Sequence, residues 1–163
     1  LLAGRTWGFP ALGRLNDAAG SNLLDTGAHF YDTYVCADGK YISIGSIEPQ
    51  FYALLRETLG VAHDPLFDGQ FDPAQWPAQK ERLTQIFKSR TRDQWCAVMG
   101  GADTCFAPVL SMAEAAAHPH NVARGTFVEI DGVIQPTIPG RQGPTAARRN
   151  GDRGTLPGQE GPV

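Results

Sequence analysis

The chain has 163 residues, of which 42% are hydrophobic and 19% charged, and its net charge is −3. That length fits one domain of ordinary size, and the negative balance argues against a nucleic-acid partner, whose phosphates need a basic face. No apolar run approaches a membrane span, and the three cysteines, Cys36, Cys96 and Cys105, read as buried free thiols of a reducing cytoplasm rather than as a disulfide framework or a zinc site.

Residues 1–30 are rich in Gly, Asn and Asp and have no strong period, which suits an extended linker lying on another surface. The chain starts without Met, in mid-pattern at Leu1-Leu-Ala-Gly, which reads as part of something longer. Two aromatic and β-branched runs follow, Tyr31 to Ala37 and Tyr41 to Ile47, separated by Asp38-Gly39. They predict a β-hairpin, with the glycine supplying the positive φ of the turn. Pro49 suits the first position of a helix. Phe51, Leu54, Leu55 and Leu59 give that helix an apolar face and Gly60 ends it. Residues 61–71 read as loop.

Asp72-Pro-Ala-Gln75 has the form of a capping box opening a second helix that buries Trp76, Leu83, Ile86 and Phe87. Thr91-Arg-Asp-Gln94 repeats the signature for a third helix burying Trp95, Val98 and Met99. Thr104 to Leu110 is an apolar run interrupted by Pro108, so it predicts an edge strand. Ser111-Met-Ala-Glu114 opens an Ala-rich helix that stops before Pro119, and Thr126 to Ile134 around Asp131-Gly132 predicts another hairpin. From Ile138 onward Gly and Pro dominate, together with Arg141, Arg148, Arg149 and Arg153, and a poorly ordered or partner-dependent tail is expected. The expected architecture is α+β: a small antiparallel sheet with three or four helices in residues 31–114, a linker at 1–30, a return linker with a hairpin at 115–137 and a tail at 138–163.

Few residues offer chemistry. The glycines match neither a P-loop nor a dinucleotide fingerprint. His118-Pro-His120 lacks a third metal ligand at sensible spacing and reads as a solvent-facing loop. His29 has no partner in sequence. Glu48 stands out, because it follows an apolar strand and precedes a Pro-started helix, at the mouth of a sheet and beside the positive end of a helix dipole. Leu24, Tyr31 and Ile47 can form an apolar wall near it, although on composition alone core packing explains each of them better.

Three stretches carry a family likeness: Gly27 to Tyr34, Ala37 to Tyr41, and Gly45-Ser-Ile-Glu-Pro-Gln-Phe51, with Pro108 to Ala115 and His118 to Gly125 as a weaker continuation. Over about residues 15–145 the chain resembles the small domain, with linkers, of α-methylacyl-CoA racemases in the family III CoA-transferase superfamily. The resemblance implies an interlocked homodimer whose active site lies between the large domain of one subunit and the small domain of the other. It implies an acyl-CoA substrate, epimerised at C2 by proton exchange through an enolate, with no metal or redox cofactor. Glu48 matches a glutamate that orients a catalytic His of the other subunit. Leu24, Tyr31 and Ile47 match an acyl-chain wall. Nothing in the chain resembles the large domain that carries the proton-transfer residues, so the chain alone is expected to be inactive. The alternatives are a family III CoA-transferase fragment and a non-catalytic dimerisation module.

Overall fold

The computed structural model describes residues 15–137, so the Gly/Pro-rich tail with its arginines lies outside the described residues. The fold is α+β, with two small antiparallel sheets. The chain divides into two compact units, parting between Val109 and Leu110.

The first unit opens on β1 (Tyr31–Val35) and β2 (Tyr41–Gly45), paired with Tyr31 opposite Gly45 and Val35 opposite Tyr41. Both strands stop two residues short of the sequence expectation, β1 because Cys36 already belongs to the turn. The Cys36 N–H donates to the Lys40 carbonyl at 2.8 Å and the Gly39 N–H to the Cys36 carbonyl at 3.0 Å. This is a three-residue loop in which Gly39 alone takes a positive φ, 75°. Asp38 then accepts the Arg92 N–H at 3.3 Å and ties the turn to the start of a later helix.

Helix α1 (Pro49–Thr58) begins with Glu48 as its N-cap and Pro49 in its first turn. It buries Tyr52 and Leu55, whereas Phe51, Leu54 and Leu59 are half-buried, so the buried face is rotated from the one predicted. A 3₁₀ turn, Pro65–Phe67, lies in the expected loop and buries Phe67. Helix α2 (Trp76–Phe87) starts three residues later than Asp72 as N-cap would set it. The cause is Pro77. A helix running from Pro73 would need the residue 77 N–H for the Pro73 carbonyl, and proline has none. Asp72 and Gln75 instead close an isolated turn, with Gln75 Nε2 donating to Asp72 Oδ2 at 2.9 Å.

Helix α3 (Arg92–Met99) carries the complete Thr91/Gln94 capping box. It buries Trp95 and Met99, but Arg92 takes the third buried position and Val98 is exposed. Strand β3 (Phe106–Pro108) completes the sheet in the order β1-β2-β3, at the edge as expected. The Val109 N–H donates to Tyr41 and the Gly45 N–H to Cys105, so the inward-facing amides of this segment are those of odd-numbered residues. Pro108 therefore turns its missing donor outward.

The core lies on one face of this sheet. Tyr34, Ile42 and Ile44 meet Phe30, Tyr52, Leu55, Phe67, Trp76, Leu83, Phe87, Trp95 and Met99. Residues 15–30, expected as a linker, contribute Ala28, His29 and Phe30, each with no exposed surface. Phe30 makes edge contacts with Tyr52, Phe71 and Trp76, at centroid distances of 5.9, 5.4 and 6.4 Å.

The second unit holds α4 (Met112–Ala117), α5 (Pro119–Ala123) and a hairpin of β4 (Phe127–Ile130) with β5 (Val133–Pro136). Ser111 and Glu114 form the predicted capping box. Asp131 and Gly132 both take positive φ, 52° and 80°, which makes a two-residue turn.

Candidate functional site

The site is built where β2 runs out. Alternation puts Tyr31, Thr33, Ser43, Gly45, Cys105 and Ala107 on the sheet face opposite the core, and the register sets them side by side. They line a recess of about 290 Å³, joined at its rim by Thr26. Its floor is open at Gly45, which has no side chain. A Cβ there would meet the Tyr31 ring at 3.7 Å and Cys105 Cβ at 3.9 Å, ordinary contact distances. Gly45 thus keeps the floor open without being sterically obligatory.

Two residues beyond Gly45, the chain turns into α1. Ile47 is half-buried against the core and Glu48 is exposed. Glu48 caps α1 by backbone position only, and its carboxylate makes no capping hydrogen bond. Cys105 is exposed, unlike buried Cys36, and slight desolvation followed by the Glu48 charge raises its thiol above its ordinary pKa. Cys105 also holds a positive φ of 51°, unusual for a residue with a side chain.

The sheet therefore brings together three of the four residues singled out in sequence: Tyr31 opposite Gly45, then Ile47 and Glu48 at the same end. Leu24 stands apart at 62% exposure, on a turn closed by Asn22 and Asp25. The Asn22 side chain holds the Asp25 carboxyl below its usual range. Neither Thr26 nor Cys105 was legible as a site residue, since neither belongs to a spaced motif.

His29 lies beneath this region. Its Nε2 is 2.8 Å from the Tyr52 hydroxyl, and that hydroxyl gives its one proton to the Phe67 carbonyl at 2.9 Å. Nε2 must then carry the imidazole proton and donate to Tyr52, which leaves Nδ1 buried without a hydrogen-bond partner. Burial, with the Lys80 charge as a second cause, pulls the His29 pKa from 6.5 down to about 3. His29 is a neutral core residue. Lys80 itself pairs with Asp32 at 2.7 Å and donates to the Thr26 carbonyl. Among the described residues no group of three or more His, Cys, Asp or Glu side chains could hold a metal ion, and no helix is long and apolar enough to cross a membrane.

The chain belongs to CoA-transferase family III, whose model it matches over residues 9–154. It is 41% identical to the α-methylacyl-CoA racemase of Mus musculus, over 75% of this chain and 32% of that protein. It is 43% identical to the racemase of Homo sapiens, over 67% of this chain and 28% of that protein. The chain thus spans about a third of the length of these curated relatives. Its fold is shared with Rv3272 of Mycobacterium tuberculosis, at a TM-score of 0.59 and 18% identity over 71% of this chain and 33% of the other. A CAIB/BAIF family protein of Brucella suis gives 0.57 and 23% over 86% and 38%.

Proposed function

We propose that this chain is the small-domain part of a 2-methylacyl-CoA racemase, epimerising the thioester at C2 by proton exchange through an enolate. The observation that carries the reading is the Glu48 carboxylate, exposed at the head of α1 and unused by its own helix. Ser, Thr, Asp and Asn are the side chains that cap a helix N-terminus, and the longer Glu is a poor substitute whose charge still favours that end. Glu48 leaves its oxygens for a group outside the chain. In the proposed enzyme that group is a catalytic imidazole of the other subunit in a homodimer. Glu48 fixes the imidazole's tautomer and supports its charged form, as a carboxylate behind a histidine base does. Tyr31 and Ile47 supply apolar contact for the acyl chain, and Leu24, exposed on a separate turn, is proposed as a further contact. The substituents at C2 can then swap faces while the thioester stays fixed. The resemblance implies that the proton-transfer groups and the CoA site sit on a large domain that nothing in this chain resembles, so the chain alone is expected to exchange no protons. The chemistry needs neither metal nor redox cofactor, and free cysteines suit the reducing cytoplasm as its location.

The test is α-proton exchange into deuterated water by a full-length protein carrying this segment. Glu48→Gln is expected to lower kcat on the order of 100-fold with little change in KM. An unchanged rate would remove Glu48 from the mechanism. A second reading, CoA transfer between acids, is favoured by a 32% identity to a CaiB/baiF CoA-transferase family protein of Caenorhabditis elegans. Appearance of CoA on a second acid in a mixed-substrate assay would select it.

A further inference from the structure

The turn that carries Glu48 is secured from elsewhere in the chain. Its amides are satisfied locally: Ser46 N–H donates to the Phe30 carbonyl at 3.0 Å and Ile47 N–H to Gly45 at 2.8 Å. The Ser46 hydroxyl donates to the Thr104 carbonyl at 2.7 Å. The carbonyls of Ser46 and Ile47 remain, and one group serves both. Gln70 Nε2 lies 3.2 Å from the first and 2.8 Å from the second. The primary amide has two hydrogens, one for each carbonyl of this pair.

Gln70 is itself buried, and its surroundings are braced. Trp76 Nε1 donates to the Gln70 carbonyl at 2.9 Å. Gln79, with no exposed surface, donates from helix α2 to the carbonyls of Leu66 at 2.8 Å and Gly69 at 3.3 Å. Asp64 accepts the Leu66 N–H at 3.0 Å at the other end of the same loop. Tyr52, one turn into α1, reaches back to the Phe67 carbonyl. The 64–70 loop therefore holds the chain on both sides of Glu48.

We infer that Gln70 is a positioning residue, whose carboxamide fixes the two peptides before Glu48 and so sets the direction in which that carboxylate leaves the sheet. The inference rests on the role proposed for Glu48. A buried glutamine is the residue for this place because an apolar side chain would leave two desolvated carbonyls without donors.

Two measurements test it. In the 163-residue chain, Gln70→Met keeps length and removes the donors. Amide exchange at Ile47 and Tyr52 is expected to quicken roughly tenfold, with Ile42 and Ile44 unaffected. Equal rates at Ile47 and Tyr52 overturn the inference. Should that variant not fold, Gln70→Glu gives the same information with a built-in rescue. Its ionised carboxylate has no hydrogen to give the carbonyls, and its protonated form has one. Protection of Ile47 relative to the unaltered chain is expected to recover on acidification, and a protection ratio indifferent to pH overturns the inference. In a full-length protein carrying this segment, Gln70→Met is expected to lower kcat for α-proton exchange roughly tenfold while KM holds. If Glu48→Gln lowers kcat and Gln70→Met does not, Gln70 positions nothing. If Glu48→Gln changes nothing, the reading of Glu48 fails, and exchange at Ile47 still decides whether the clamp exists.

Discussion

The two hairpins carry the same turn dipeptide and end in different circumstances. Asp38-Gly39 joins β1 to β2 through a three-residue loop, and Asp131-Gly132 joins β4 to β5 through two residues that both take positive φ. The first hairpin buries Tyr34, Ile42 and Ile44 against the helices of its unit. The second is just as apolar, yet Ile130, Val133 and Ile134 are each more than half exposed. Turn chemistry is local and writes both hairpins into the sequence. Burial is not local, and it separates them. A lone two-stranded hairpin is marginal in water, so the first is held by its core and the second chiefly by its turn and cross-strand pairs.

The sharpest way to break that contrast is Phe30→Ala. Phe30 has no exposed surface and touches four aromatic rings. The substitution is expected to cost about 3–5 kcal/mol in urea unfolding of the first unit. A loss under 1 kcal/mol would mean that this unit is not held by its core.

Acid provides a graded version. His29 binds a proton at 6.5 when unfolded and only near 3 when folded. Its folded pKa is depressed, so the unfolded chain holds more protons between those values. Stability is flat in this respect above pH 6.5 and falls by roughly 1.4 kcal/mol per unit as pH drops towards 3. His29→Gln should flatten that slope, and an unaltered slope would move the acid sensitivity to other groups.

The smallest effect belongs to the second hairpin. Ile134→Ser, at 59% exposure, is expected to shift stability by no more than about 0.5 kcal/mol. A larger loss would mean that this side chain is covered in solution.

Legibility follows the same division between local and distant. The turn glycines, the boxes at Thr91 and Ser111, the edge strand at Pro108 and Glu48 at the head of α1 were all readable, because each depends on neighbours within a few residues. The false start at Asp72 is instructive, since the pattern was present and Pro77 overruled it. The buried polar residues were not readable. Gln70 meets its carbonyls 23 and 24 residues away, and Gln79 holds a loop ten or more residues back. His29 shares a proton with a tyrosine 23 residues on. Glutamine and histidine in an amphipathic run read as surface, and only packing shows that they are inside.

Pro108 has a consequence for the chain's behaviour at high concentration. A sheet edge grows by offering alternating donors and acceptors to an incoming strand. Along the three residues of β3, Ala107 spends its amide inward and Pro108 has none, so Phe106 is left with the single outward donor. The outward carbonyls of Phe106 and Pro108 still accept, but with one donor among them the ladder offered to a stranger's backbone is short and broken. Pro108 thus weakens fibril-like extension on this side of the small sheet.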